Sequence, residues 1–300
     1  MGCGTWDTDS FISYSTSKGL ATDSLGFVTS SVSNQEMFKA RTLDSALAPK
    51  NVIRECCDSD DHQNTLPVIL ALDVTGSMGQ AAVEVAKKLN GIMTKLYENI
   101  ADVEFMIMGI GDLSCDDYPI QASQFESDIR IAEQLDKVYF EFGGGGNMFE
   151  SYTAAWYFGL HHTKLDCWKR DKRGIIITIG DERLNPYLPM HGRCSGLVDA
   201  LGDNLEKDVE TPELFEEASK KFDIYHIHVK HGRNYDEENI EKSFKSVLEE
   251  DHFKEATLDN ITEVIVDIVV DAAENDSDTI SVPTATPIQV NTNENGEIVW

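Results

Sequence analysis

The chain has 300 residues, 41% of them apolar, and a formal net charge of −28 from 53 acidic and 25 basic side chains. That length accommodates one large α/β domain with appendages. So strong a negative balance argues against nucleic acid and anionic lipid as partners and favours cations or basic surfaces.

Residues 1–65 are rich in Ser, Thr and Asp and hold few long apolar runs. They are expected to form an arm that packs on a main domain, with a helix over Gln35–Leu47 capped by Asn34. Pro67–Val74 is apolar on both faces, as a strand buried in a parallel sheet must be. Met78–Ile100 follows as a helix, with Val83, Ala86, Leu89, Ile92, Met93 and Leu96 at three- and four-residue spacings. Val103–Ile110 reads as the second strand and ends in Gly111-Asp112. A short edge strand is expected at Ile120–Phe125 and a helix at Glu126–Leu135. Val138–Phe142 then runs into four glycines, Gly143–Gly146.

A helix is predicted over Asn147–His161, with Tyr152, Trp156 and Leu160 on one stripe. Gly174–Ile179 is the clearest β-branched run and ends in Gly180-Asp181-Glu182. Residues 183–209 contain Pro186 and Pro189 and show no pattern, which suggests an excursion over the surface. Pro212–Phe222 reads as a helix capped by Thr211. Asp223–Val229 reads as a strand near an edge, since Tyr225, His226 and His228 interrupt its apolar residues. Glu237–Glu249 (helix), Phe253–Thr257 (strand) and Asn260–Ala273 (amphipathic helix) complete a domain spanning residues 66–275. Residues 276–300 form an acidic tail, with a hairpin signal at Asn295-Gly296. Strands alternating with helices at short connections specify an α/β, Rossmann-like fold: a mostly parallel central sheet flanked by helices on both faces.

The six cysteines, Cys3, Cys56, Cys57, Cys115, Cys167 and Cys194, show no C-x-x-C pair and no disulfide-framework spacing. Reduced thiols and a cytoplasmic location are expected. No secretory pattern opens the sequence, and Trp6 stands where an N-myristoylation motif requires Ser or Thr. The apolar stretch near 261–273 carries Glu263, Asp267 and Asp271 and is not expected to span a membrane.

The chemistry gathers where strands end. In an open α/β sheet, ligands bind at the carboxyl ends of the strands. The first such end offers Asp73, Thr75 and Ser77, the glycine turn leads to Asn147 and Glu150, and the third end offers Asp181. All six supply oxygen, which suits a hard cation such as Mg²⁺, with Mn²⁺ or Ca²⁺ as alternatives. Gly76 lets the first turn curl so that alternate hydroxyls face one point. A glycine-rich turn before a helix also suits phosphate, but no Lys or Arg lies between Phe140 and His162. Asp112 reads either as an ordinary loop residue or as a support to the site. His161-His162 is expected to contact a helix end, and His226 and His228 to lie in the core or at an edge rather than on a metal.

Asp73-Val-Thr75-Gly-Ser77 resembles the Asp-x-Ser-x-Ser motif of the von Willebrand factor type A domain and its metal-ion-dependent adhesion site. Asp181 matches that family's closing Asp, whereas Asn147 stands near where the family has a Thr. More narrowly, the chain looks like a group of such proteins in bacteria and phages, through Ile53-Arg-Glu, Asp58–His62, Asp73–Gly79, Gln124–Ser127, Glu150-Ser-Tyr152 and Ile179–Glu182. The resemblance implies a non-enzymatic, Mg²⁺-dependent protein-binding module in which a partner's Glu or Asp completes the ion's shell. Two alternatives are a phosphotransferase of the haloacid-dehalogenase type, which wants a second Asp where Thr75 stands, and a scaffold with a degenerate ion site. Neither the partner nor the oligomeric state follows from the sequence.

Overall fold

The computed structural model describes residues 4–100, 102–141, 148–193, 195–230, 236–275, 291–292 and 298–299. Asn147, Gly143–Gly146, Cys3, Cys194 and the Asn295-Gly296 turn lie outside them. In the first half of the chain the elements are α1 (Thr8–Ser17), α2 (Asn34–Met37), β1 (Arg54–Cys56), β2 (Leu66–Asp73), α3 (Gly79–Asn99), β3 (Val103–Ile110), β4 (Ile120–Ala122) and α4 (Arg130–Leu135). Next come β5 (Phe149–Glu150), α5 (Thr153–His161), β6 (Thr163–Leu165), β7 (Gly174–Gly180), β8 (Arg183–Leu184), β9 (Tyr187–Leu188) and α6 (Leu197–Leu201). The rest are β10 (Val209–Glu210), α7 (Thr211–Ala218), β11 (Phe222–Val229), α8 (Glu237–Lys245), β12 (Phe253–Ala256), α9 (Ile261–Asn275), β13 (Asn291–Thr292) and β14 (Ile298–Val299).

Six strands form the central sheet in the order β12-β11-β7-β2-β3-β4. All neighbours are parallel except β4, which runs antiparallel to β3. Side chains alternate across it, as a pleated strand requires. Val68, Leu70 and Leu72 of β2 and Ile175, Ile177 and Ile179 of β7 join a core with α1, α3, α4 and α9. Ile69, Ala71 and Ile176 join the opposite core with α5, α6, α7 and α8. Burial on both faces is why these strands read as unbroken apolar runs. Helix α5 lies close against the sheet at Gly159, where an added methyl would stand 3.1 Å from both Ile69 and Ile176.

Strand β4 does not leave its outer edge bare. Ala122 N donates to Leu47 O at 2.8 Å, and Arg54 Nη2 donates to Ala122 O at 2.8 Å. The same guanidinium reaches Ala46 O at 2.9 Å and Ala48 O at 3.3 Å. Trp6 Nε1 donates to the buried Asn90 Oδ1 at 2.8 Å, so the segment before β2 is tied to both α3 and the sheet edge.

Several elements differ from the sequence expectation, each for a tertiary reason. The helix expected over Gln35–Leu47 is the single turn α2, held by a Ser33–Glu36 capping box. It stops because Phe38 turns extended into the core, 4.4 Å from the ring of Phe140. Helix α4 starts at Arg130 because Glu126 exchanges both backbone hydrogen bonds with Phe105, at 2.8 and 3.0 Å. Residues 138–141 form no strand: Tyr139 satisfies its backbone on the Gln121 side chain, at 2.7 and 2.9 Å. Helix α5 begins at Thr153 because Phe149–Glu150 pairs with Arg183–Leu184.

Residues 183–209 are not a bare surface excursion. They carry β8, β9, α6 and the start of β10, and bury Leu184, Leu188, Leu197 and Leu201 completely. Thr211 does not cap α7 with its side chain but donates to Asn185 O at 2.7 Å. Strand β11 lies one place inside the edge, covered by β12. Among the described residues no helix is long and apolar enough to cross a membrane.

Candidate metal centre

Strands β2 and β7 lie side by side, with Leu72 opposite Ile179. This register brings Asp73, the last residue of β2, beside the turn that follows Gly180. Asp73 is 1% exposed. Its Oδ1 accepts the Thr75 backbone N–H at 2.9 Å and the Thr75 hydroxyl at 2.6 Å. The Thr75 hydroxyl is 3.2 Å from Ser77 Oγ, and Ser77 Oγ donates to Asp181 Oδ1 at 3.1 Å. Four of the six residues singled out from sequence thus form one chain of oxygens, buried at Asp73 and solvent-exposed at Ser77.

A fifth residue, Glu150, sits on β5. It is buried, and its Oε2 has no hydrogen-bond partner. Burial pushes its carboxyl well above the ordinary range, and the charges of Asp73, Asp116, Asp112 and Glu182 add to the effect. Asp73 is pushed up to about 7, first by burial and then by Asp181. Burial and Asp181 also raise Glu182. A crowd of carboxylates that raise one another is relieved by a cation. The donors are carboxylate and hydroxyl oxygens, with an orphaned carboxylate oxygen close by, and this set fits a hard divalent ion.

Among the described residues, the one group of three His, Cys, Asp or Glu side chains with ligand atoms within 4.8 Å of one another is elsewhere: Glu249, Asp251 and His252. The crest site therefore depends on the hydroxyls of Thr75 and Ser77 as much as on acid. At the other group, His252 is held by Ile224 O at 2.9 Å and stacks on Tyr225.

Tyr152 also touches the site, and sequence analysis did not single it out as a site residue. Its phenol donates to Asp73 Oδ2 at 2.9 Å and accepts from Glu182 N at 3.2 Å. The phenol passes over Gly180, where a methyl group would stand 1.9 Å from the phenol oxygen. That glycine, ending a β-branched run, was the available signal, since glycine in a strand often marks a close approach. Tyr152 itself read as one more residue of a helical stripe.

The other candidates have structural partners. Asp112 Oδ1 accepts Ser114 N at 2.8 Å, and its carbonyl accepts Cys115 N and Asp116 N, so it closes its own turn. His161 ends α5 and His162 is its C-cap, and His162 Nε2 is also 2.8 Å from Asp203 Oδ2. His226 and His228 are buried in the core beside Phe244 and Phe253, and burial lowers the pKa of both.

No family model matches the chain, and no curated protein matches it. Several solved structures are similar to it. The pilus adhesin SpaC from Lactobacillus rhamnosus GG is 12% identical over 76% of this chain and 31% of its own, with a TM-score of 0.48. This chain thus spans about a third of the length of that adhesin. The vWF domain of the type V pili tip protein Mfa5 from Porphyromonas gingivalis is 12% identical over 74% of this chain and 99% of its own, with a TM-score of 0.44. Proximal thread matrix protein 1 from the mussel byssus, with a zinc-occupied MIDAS motif, is 12% identical over 75% of this chain and 47% of its own, with a TM-score of 0.41. By its own sheet order and antiparallel edge strand, the chain has an α/β, Rossmann-like fold, a mostly parallel six-stranded sheet between two layers of helices, with oxygens gathered over β2 and β7.

Proposed function

We propose that the chain is a non-enzymatic protein-binding module that holds Mg²⁺ at the crest and captures a partner through one of the partner's Glu or Asp residues. The observation that carries this is the run Asp73–Thr75–Ser77–Asp181, joined at 2.6 to 3.2 Å from a buried strand end out to solvent. Thr75 and Ser77 would offer hydroxyl oxygens to the ion, Asp73 and Asp181 carboxylate oxygens, and Glu150 negative charge from the side. The bound ion would supply a positive centre with an open position for a foreign carboxylate.

The rim suits a protein partner. Met148 and Tyr187, 47% and 42% exposed, are two of the four exposed large apolar side chains among the described residues. Met148 adjoins the ladder that carries Glu150, and Tyr187 belongs to the β9–β10 ladder. Phosphotransfer of the haloacid-dehalogenase type is disfavoured because its second Asp is replaced by Thr75, whose hydroxyl already donates to Asp73.

The test is a calorimetric titration of Mg²⁺ and Mn²⁺ into chelator-treated protein beside Asp73→Ala. Saturable binding of about one ion per chain, lost in the variant, is expected. Silence in both, repeated in the presence of a Glu-bearing peptide, would replace the ion-dependent module with a scaffold.

A further inference from the structure

Tyr152 lies where three elements meet, fully buried just before α5, with its ring 5.0 Å from His226 and 5.7 Å from Phe244. Three donors converge on the Asp73 carboxylate: Thr75 N and Thr75 Oγ1 on Oδ1, and Tyr152 on Oδ2. A carboxylate offers about four lone-pair positions. Asp73 therefore keeps one acceptor position, and its plane is held at both oxygens.

That restraint matters for ion choice. Mg²⁺ demands near-ideal octahedral geometry at ~2.0–2.1 Å, whereas Ca²⁺ takes 6–8 oxygens at ~2.3–2.6 Å in flexible cages, often with bidentate carboxylates. A carboxylate limited to one oxygen and unable to swing suits the smaller ion. We propose, on the strength of the ion site assigned above, that Tyr152 is a positioning residue that sets the preference for Mg²⁺ over Ca²⁺ by locking Asp73. Gly180 is its necessary companion, because any side chain there displaces the phenol.

The experiment titrates Mg²⁺ and Ca²⁺ separately by calorimetry into chelator-treated wild type, Tyr152→Phe and Gly180→Ala. Phe keeps the packed ring and removes only the hydroxyl; Ala keeps the hydroxyl and pushes it away. In both variants the Mg²⁺ Kd rises about tenfold and the Ca²⁺ Kd by less than about threefold, so discrimination between the ions falls. Should Tyr152→Phe fail to fold, Gly180→Ala decides. Equal shifts for both ions, or none, in a wild type that binds Mg²⁺ would overturn the role of Tyr152 alone. A wild type that binds neither ion would overturn the site itself.

Discussion

The two ends of the central sheet treat buried acid differently. At the base, where the strands begin, carboxylates meet guanidinium groups. Arg130 lies 3.0 Å from Glu126 and 2.8 Å from Asp128, Arg173 is 2.7 Å from Asp223, and Arg170 is paired with Asp58. Burial pushes the Asp128 carboxyl up, but the hydrogen bonds and charge of Arg130 outweigh it and hold the net value below the ordinary range. At the crest, Asp73 is met by a backbone amide, a hydroxyl and a phenol, and the charges acting most strongly on Glu150 are all negative. Neutral donors orient a carboxylate without cancelling its charge. At the base Glu104 is the exception, buried with an unpartnered Oε2 and raised by burial; the base carboxylates named above have a guanidinium beside them, and the crest keeps a field that a cation can answer.

The largest expected effect separates the ends by pH and ion. A buried acid whose pKa is raised by folding contributes stability when protonated, and that contribution is lost as pH rises through the folded value. Asp73, pushed up to about 7, should therefore make the chelator-treated protein less stable between about pH 4 and pH 7. Mg²⁺ should restore stability, and more so at pH 8 than at pH 5, reaching about 2.7 kcal/mol at a hundred times its Kd. Urea unfolding at both pH values, with and without Mg²⁺, measures this; an equal gain at both would erase the contrast.

Next in size is Arg130→Ala. Two carboxylates lose their partner at a half-exposed site, so unfolding free energy should fall by about 2 kcal/mol, by the same amount in Mg²⁺ and in chelator. An ion-dependent loss would mean that base and crest are not independent. The smallest effect is of opposite sign. Asp73→Asn removes a buried, uncancelled charge at the crest, and in chelator at pH 8 it should stabilise the fold by about 1 kcal/mol while abolishing the Mg²⁺ gain. Destabilisation of that variant in chelator would show that the crest charge is already compensated.

The core of this architecture was legible because its strands are buried on both faces. β3 matches the expected Val103–Ile110 throughout, β7 differs by one residue at one end, and β2 is shifted by one residue at both ends. The site was legible as far as local spacing carries it: Asp73, Thr75 and Ser77 are neighbours in sequence, and Asp181 ends a strand of unmistakable composition. What stayed hidden depends on distant partners. Nothing near Glu126 announces its backbone exchange with Phe105, and nothing near Tyr152 announces a hydrogen bond to a residue 79 positions earlier. Residues 183–209 misled for a similar reason, because their four buried leucines are scattered among prolines and glycines and have no period to detect.

The hydrogen bonds that cover β4 carry a consequence for how the chain keeps to itself. Leu47 O and the Arg54 guanidinium occupy the amide and carbonyl of Ala122 that would otherwise face outward. A strand edge with unmet donors and acceptors is a template for another strand. Leu47 and Arg54 therefore shield this edge from pairing with another strand. Trimming the chain to begin at residue 66 would bare Ala122 to its own copies and strip Trp6, Phe11, Phe38 and Leu47 from the core at the same stroke, so soluble monomer and secondary structure should fall together.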